Sequence, residues 1–157
     1  MDDESVKAKG LVERIGMESS KLTHKPVGKE KFELEQYMPT HGEAIDAVLA
    51  ALTDPVHGVI KNMSELKAIG HRVLHGGEKC TKSQIVTPEV IDVIRECIPM
   101  GPLHNPANLK GIETCMEKMP QIPNVAVFDT AFHQTMPDYA YLYAVPYEAY
   151  TKSHIRK

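Results

Sequence analysis

Arg72, in the segment GHRVLHGGE, and Asp129, in VAVFDTAFHQTMP, are the charged residues of this sequence best placed to do chemistry. Each reads as standing at the end of a strand. In a sheet with helices packed on it, ligands gather beyond the carboxyl ends of the strands. An aspartate there can reach a metal ion or a substrate, or it can cap the segment that follows it. On a strand, Arg72 and Leu74 share one face. That pairing suits a small carboxylate with a methyl tail: the guanidinium forks onto the two oxygens and the leucine receives the methyl. The alternative is a surface arginine paired with a nearby acid. His104, in PLHNPAN, precedes a helix start at Asn105-Pro106. Helix N-termini attract anions, so His104 can hydrogen-bond a transferring phosphoryl group, or else be a histidine satisfied within its loop. His133 reads as a structural residue holding the loop after Asp129.

Other chemistries are excluded. His71 and His75 have the i, i+4 spacing of a helical zinc pair, but Gly70, Gly76 and Gly77 argue against a helix and no HExxH is present. No metal-ligating set is expected. There is no GxxxxGK[ST] loop, no GxGxxG and no GxSxG elbow. Cys80, Cys97 and Cys115 are widely spaced and form no CxxC, which fits reduced thiols in a cytoplasmic protein. A hydrophobic fraction of 42% and a net charge of -3 describe an ordinary globular chain without a nucleic-acid or membrane-surface footprint. The acidic start MDDESVKAKG lacks the apolar core of a secretory signal.

The elements that must position these residues are legible from pattern. Ser5 to Gly16 leans to strand. Leu22–Lys25 and Lys31–Gln36 flank a Pro26/Gly28 turn and read as a hairpin. Thr40 and Glu43 have capping-box spacing, followed by Ile45, Val48, Leu49 and Leu52 as one apolar helix face. Ser64 to Ala68 reads as one helical turn and Ile69 to Leu74 as a strand. Thr87-Pro88 and Asn105-Pro106 each put a cap before a proline at the first helical position. The first helix then presents Val90, Ile91, Ile94 and Ile98, the second Leu109, Ile112, Met116 and Met119. Val125–Phe128 is a short apolar run, consistent with a buried central strand. Tyr139, Tyr141, Tyr143 and Val145 alternate with smaller residues and predict another strand. Tyr147–Lys157 reads as the start of a helix or linker. Strands first, then helices alternating with strands, give a mixed α/β sheet with helices packed on it.

Taken together, GHRVLHGGE, PLHNPAN, VFDTAFHQTMP and YAYLYAVPYE, with KGLVERIG and the Thr40 helix, resemble segments of acetate kinases in the same order along the whole chain. The resemblance implies the acetate and sugar kinase/actin superfamily, with a ribonuclease H-like, actin-like ATPase domain. It implies transfer of a phosphoryl group between ATP and acetate, giving acetyl phosphate and ADP, with Mg²⁺. It assigns Asp129 as a catalytic aspartate, His104 as a histidine near the transferred phosphoryl group, and Arg72 as the substrate-binding arginine. Leu74 and Leu103 would form the pocket for the acetate methyl. The family often has valine at the place of Leu74, and propionate or butyrate kinase is the close rival. A non-catalytic binding module of the same fold is the alternative of a different class.

The resemblance also implies departures. The family's Asn-x-Gly-Ser-Ser-Ser-x-Lys phosphate loop is expected before this sequence. A Phe-His-Gly-Thr-Ser-His segment and a second domain, with the adenine pocket and most of a homodimer interface, are expected after it. Residues 1–146 are then an incomplete N-terminal domain, and 147–157 the start of a linker helix. The expectation is a chain inactive by itself, holding neither ATP nor Mg²⁺ stably.

Overall fold

The computed structural model describes residues 4–157. The chain divides into two compact units, one running to Ile69 and including Lys110–Asn124, the other comprising Gly70–Leu109 and Val125–Lys157.

In the first unit, β1 (Ala8–Glu13), β2 (Lys21–Pro26) and β3 (Phe32–Glu35) form an antiparallel sheet in that order. Leu22 lies opposite both Val12 and Leu34, so one face of the sheet is apolar. Helix α1 (His41–Thr53) follows the expected capping box: the Thr40 side chain accepts from Gly42 N–H, and Glu43 accepts from Thr40 N–H at 3.0 Å.

The buried face of α1 differs from the face read in the sequence. Ala44, Ala47 and Ala51 are buried with Leu22 and Met38, whereas Ile45, Val48, Leu49 and Leu52 are half-buried. Helix α1 packs on β2. Alanines at the contact let the helix approach the sheet closely, and the larger side chains fill the flanks. Ala47→Leu is therefore expected to destabilise the chain by about 1–3 kcal/mol through overpacking, read from the urea midpoint. A midpoint equal to the parent's would reject this packing.

The second unit is built around β4 (Ile69–Val73), β5 (Gln84–Ile85) and β6 (Asn124–Phe128), in the order β4-β6-β5. As expected, β6 is central, and β5 pairs with it antiparallel. The Ile69 N–H donates to the Pro123 carbonyl and the Thr130 N–H to the Leu74 carbonyl. The starts of β4 and β6 are thus together, as are their ends, and the two strands run the same way. Helix α2 (Pro88–Glu96) has Thr87 as its cap, accepting from Val90 N–H, and buries Val90 and Ile94. Helix α3 spans Asn105–Lys118 and buries Leu109 and Ile112.

The tyrosine alternation does not make a strand. Pro137 opens a short helix, α4 (Asp138–Tyr141), with the Ala140 and Tyr141 N–H groups donating to the Pro137 carbonyl. Tyr139 is exposed, and Tyr141 makes ring contacts instead of joining a ladder. Tyr141 lies 5.8 Å from the Tyr150 ring of α5 (Glu148–Ser153), and the Arg156 guanidinium sits 3.7 Å above its centroid. Glu78 fastens this segment by accepting from Tyr150 Oη at 3.0 Å, His154 Nδ1 at 3.0 Å and Arg156 Nη1 at 3.2 Å.

Candidate active site

Arg72, next to last in β4, and Asp129, directly after β6, meet where the two strands end. The guanidinium donates from Nε to Oδ1 at 3.0 Å and from Nη2 to Oδ2 at 2.7 Å, a two-point pairing. The arginine side chain is 82% exposed and the aspartate 35%. Hydrogen bonds from Arg72 hold the Asp129 carboxyl below the usual carboxylate range, against the effect of desolvation, with smaller contributions from the charges of Arg72 and His104. The nearby acid of the surface-pair alternative is thus Asp129 itself, 57 residues away in sequence.

His104 is exposed in the turn before α3, and Leu103 beside it is 87% exposed. Leu74 is half-buried, one residue past the end of β4. The pocket role of Leu103 therefore needs a covering surface that this side chain does not receive from its own unit.

Just past the end of β4 the chain has no ladder partner, yet the backbone of residues 74–77 is hydrogen-bonded. Leu74 N–H donates to Asn108 Oδ1 and His75 N–H to Asn105 Oδ1, both at 3.1 Å. Asn105 Nδ2 returns a bond to the His75 carbonyl at 2.9 Å and another to the Ile94 carbonyl at 3.0 Å. Gly76 N–H donates to Thr130 Oγ1 at 3.1 Å, and Gln134 Nε2 donates to the Gly77 carbonyl at 3.0 Å. Sequence reading missed Asn105, Asn108, Thr130 and Gln134 in these roles. It assigned Asn105 as a helix cap, but Asn105 is the first residue of α3 and its side chain fastens the strand end. It assigned the loop after Asp129 to His133. The His133 ring is exposed and edge-on to Phe132 at 5.2 Å, and the residue holds the loop through its carbonyl, which accepts from Met136 N–H at 3.2 Å and Arg156 Nη2 at 3.3 Å, while Thr130 and Gln134 tie the loop to the strand end.

Gly77 N–H donates to His75 Nδ1 at 3.0 Å, which requires Nδ1 to be unprotonated. Burial also pushes the His75 imidazole below its ordinary value of 6.5. The unfolded chain binds this proton more readily than the folded one, so stability rises with pH in that window. The contribution is complete above about pH 7 and is lost as pH falls through the ordinary histidine value toward the lower folded one. Melting temperature is expected to drop across this range more steeply in the parent than in His75→Gln. Parallel pH profiles for the two would reject a neutral His75.

In this α/β chain two strands that run the same way end on a paired arginine and aspartate, with His104 in the turn before α3, at the carboxyl ends of the strands where ligands of α/β sheets ordinarily gather. Residues 1–157 match the Acetokinase family, and the chain belongs to it. Acetate kinase 2 of Clostridium perfringens is 57% identical over 157 residues, which cover 100% of this chain and 39% of that protein. The crystal structure of Porphyromonas gingivalis acetate kinase matches with a TM-score of 0.91 and 47% identity, covering 98% of this chain and 38% of that one. A propionate kinase from Francisella tularensis subsp. tularensis matches with a TM-score of 0.85 and 38% identity, over 96% of this chain and 38% of the other. The chain thus spans about 39% of the length of the curated relatives it matches.

Proposed function

We propose that these residues form the carboxylate-handling part of an acetate kinase, which transfers a phosphoryl group between ATP and acetate. The observation that carries this reading is the two-point Arg72–Asp129 pair at the ends of β4 and β6. Those bonds use the Nε and Nη2 side of the guanidinium and leave its Nη1 edge for a substrate carboxylate. Acetate is ionised at pH 7, so Asp129 has no substrate proton to remove and acts by charge and position. His104 stabilises charge on the equatorial oxygens of the transferring group. Leu74 and Leu103 receive the methyl once Leu103 is covered.

The reading implies ATP and Mg²⁺. Magnesium is commonly held by one or two carboxylates together with substrate phosphates. Asp129 offers one carboxylate, and both its oxygens accept from Arg72. Among the described residues, no three His, Cys, Asp or Glu side chains converge as a metal site. The roles assigned to this chain rest on its side chains. A cytoplasmic setting is supported by the three free cysteines. No helix among the described residues is long and apolar enough to cross a membrane. Homodimer formation is proposed for the longer protein, as the family resemblance implies.

Two assays test the proposal. Residues 1–157 alone are expected to form no acetyl phosphate in a hydroxamate assay, because phosphoryl transfer depends on a positioned nucleotide. The same residues grafted in place of the matched stretch of the clostridial relative are expected to support turnover. A folded but inactive graft would reject the reading, as would turnover by the isolated chain above a contaminant control.

A further inference from the structure

We infer that Asn105 and Asn108, on the first turn of α3, are positioning residues that set where the carboxylate-binding strand end lies. The inference rests on the proposed function and deepens it. Asn105 is fully buried, and its one amide joins three backbone groups on two elements: His75 N–H, the His75 carbonyl and the Ile94 carbonyl of α2. Asn108, one turn further along the same helix, takes the Leu74 N–H. Thr130 completes the enclosure from the Asp129 side, with its N–H to the Leu74 carbonyl and its hydroxyl to Gly76 N–H.

A strand end without ladder partners ordinarily satisfies its polar groups with water and moves. Here those groups are bound by side chains from the helix start that follows His104 and from the loop that follows Asp129. Leu74 is therefore registered against both other elements of the site through its own backbone. Its N–H is held by the α3 start and its carbonyl by the Asp129 loop. Gly101 adds a steric stop on the same side: a Cβ there would lie 3.1 Å from Asn105 Oδ1 and 3.2 Å from Leu74 Cδ2. Small displacements between a binding group and a reacting group have large kinetic effects, so the registration matters for the acetate end of the reaction and little for the nucleotide end. An asparagine is suited to this because its amide offers both a donor and an acceptor in one rigid plane.

Asn108 is the residue to test, since it is only half-buried. Amide hydrogen exchange is measured on the 157-residue chain, and steady-state kinetics on the graft, for the parent, Asn108→Ala and Asn108→Asp. Asn108→Ala is expected to speed exchange at Leu74 more than tenfold relative to Val73. It should also raise the acetate KM about tenfold while the ATP KM changes less than twofold. Asn108→Asp keeps an acceptor oxygen, and both quantities should return to within threefold of the parent. An unchanged Leu74 exchange rate, or acetate and ATP KM values that move together in an active graft, would overturn the inference. An inactive parent graft would overturn the functional reading alone, and the exchange result would still decide whether Asn108 holds the strand end.

Discussion

Asp129→Asn in the graft is expected to lower kcat for acetyl phosphate formation on the order of 10²–10³-fold, the cost of losing one well-placed charged group near the developing charge. The asparagine keeps the size and one acceptor oxygen but loses the charge that fixes Arg72 through two bonds at 3.0 and 2.7 Å. Arg72→Ala is expected to raise the acetate KM and also lower kcat, because the arginine acts on both the ground and the transition state. The two residues share one hydrogen-bonded unit, so the double variant should be little worse than the poorer single variant. The denaturation midpoint should scarcely move in either case, since the pair is largely exposed and solvent screens it. Acetate kinetics within twofold of the parent for Arg72→Ala would reject the substrate role. Strictly multiplicative losses in the double variant would reject the pair as a unit.

Much of the fold is legible in the sequence because its signals are local. Thr40 with Glu43, and Thr87 before Pro88, announce helix starts through bonds made within four residues, and both starts are present. The run Val125–Phe128 forms most of the central strand, but only Ala126 and Phe128 are buried and Val127 is exposed, so the continuous apolar run overstated the burial. What escaped reading depends on partners far along the chain. Nothing near Asn108 says that its amide meets Leu74, 34 residues earlier. Period-two alternation of tyrosines fits a strand, but Pro137 starts a helical turn there, and the Tyr141 ring meets Tyr150 and Arg156 instead of a neighbouring strand. On α1 the apolar face in the sequence is that of the largest side chains, although close approach to β2 selects the alanines. The residues of the proposed site, Arg72, His104 and Asp129, can each be picked out from the sequence segment that holds them. The direct Arg72–Asp129 pairing cannot be, since it is made only when β4 and β6 lie side by side.

Gly76→Ala is expected to be the most destabilising single-methyl addition in the strand-end loop, at about 3 kcal/mol, the upper part of the usual overpacking range. A Cβ at this position would stand 2.6 Å from Phe128 Cδ1 and 2.7 Å from Cys80 Cβ. Neither neighbour can give way cheaply, because Phe128 is 3% exposed and Cys80 is 2% exposed. Phe128 immediately precedes Asp129, so a shift of its ring displaces the aspartate as well as the loop after Arg72. Gly77 next to it needs glycine for a different reason: its φ of +59° lies in the left-handed region, which costs other residues roughly 1–2 kcal/mol. Gly70 supplies the control. It lies in β4, before the loop, a Cβ there meets nothing within 4 Å, and its alanine variant should be neutral or stabilising by up to about 1 kcal/mol. Urea denaturation of the three variants, compared at constant m-value, measures the order. A Gly76→Ala chain as stable as Gly70→Ala would mean that the HGG turn is not packed against Phe128. The link from the Arg72 strand to the Asp129 strand would then rest on hydrogen bonds: the β4–β6 pairing, the Arg72–Asp129 pair, and the bonds of Thr130 and Gln134.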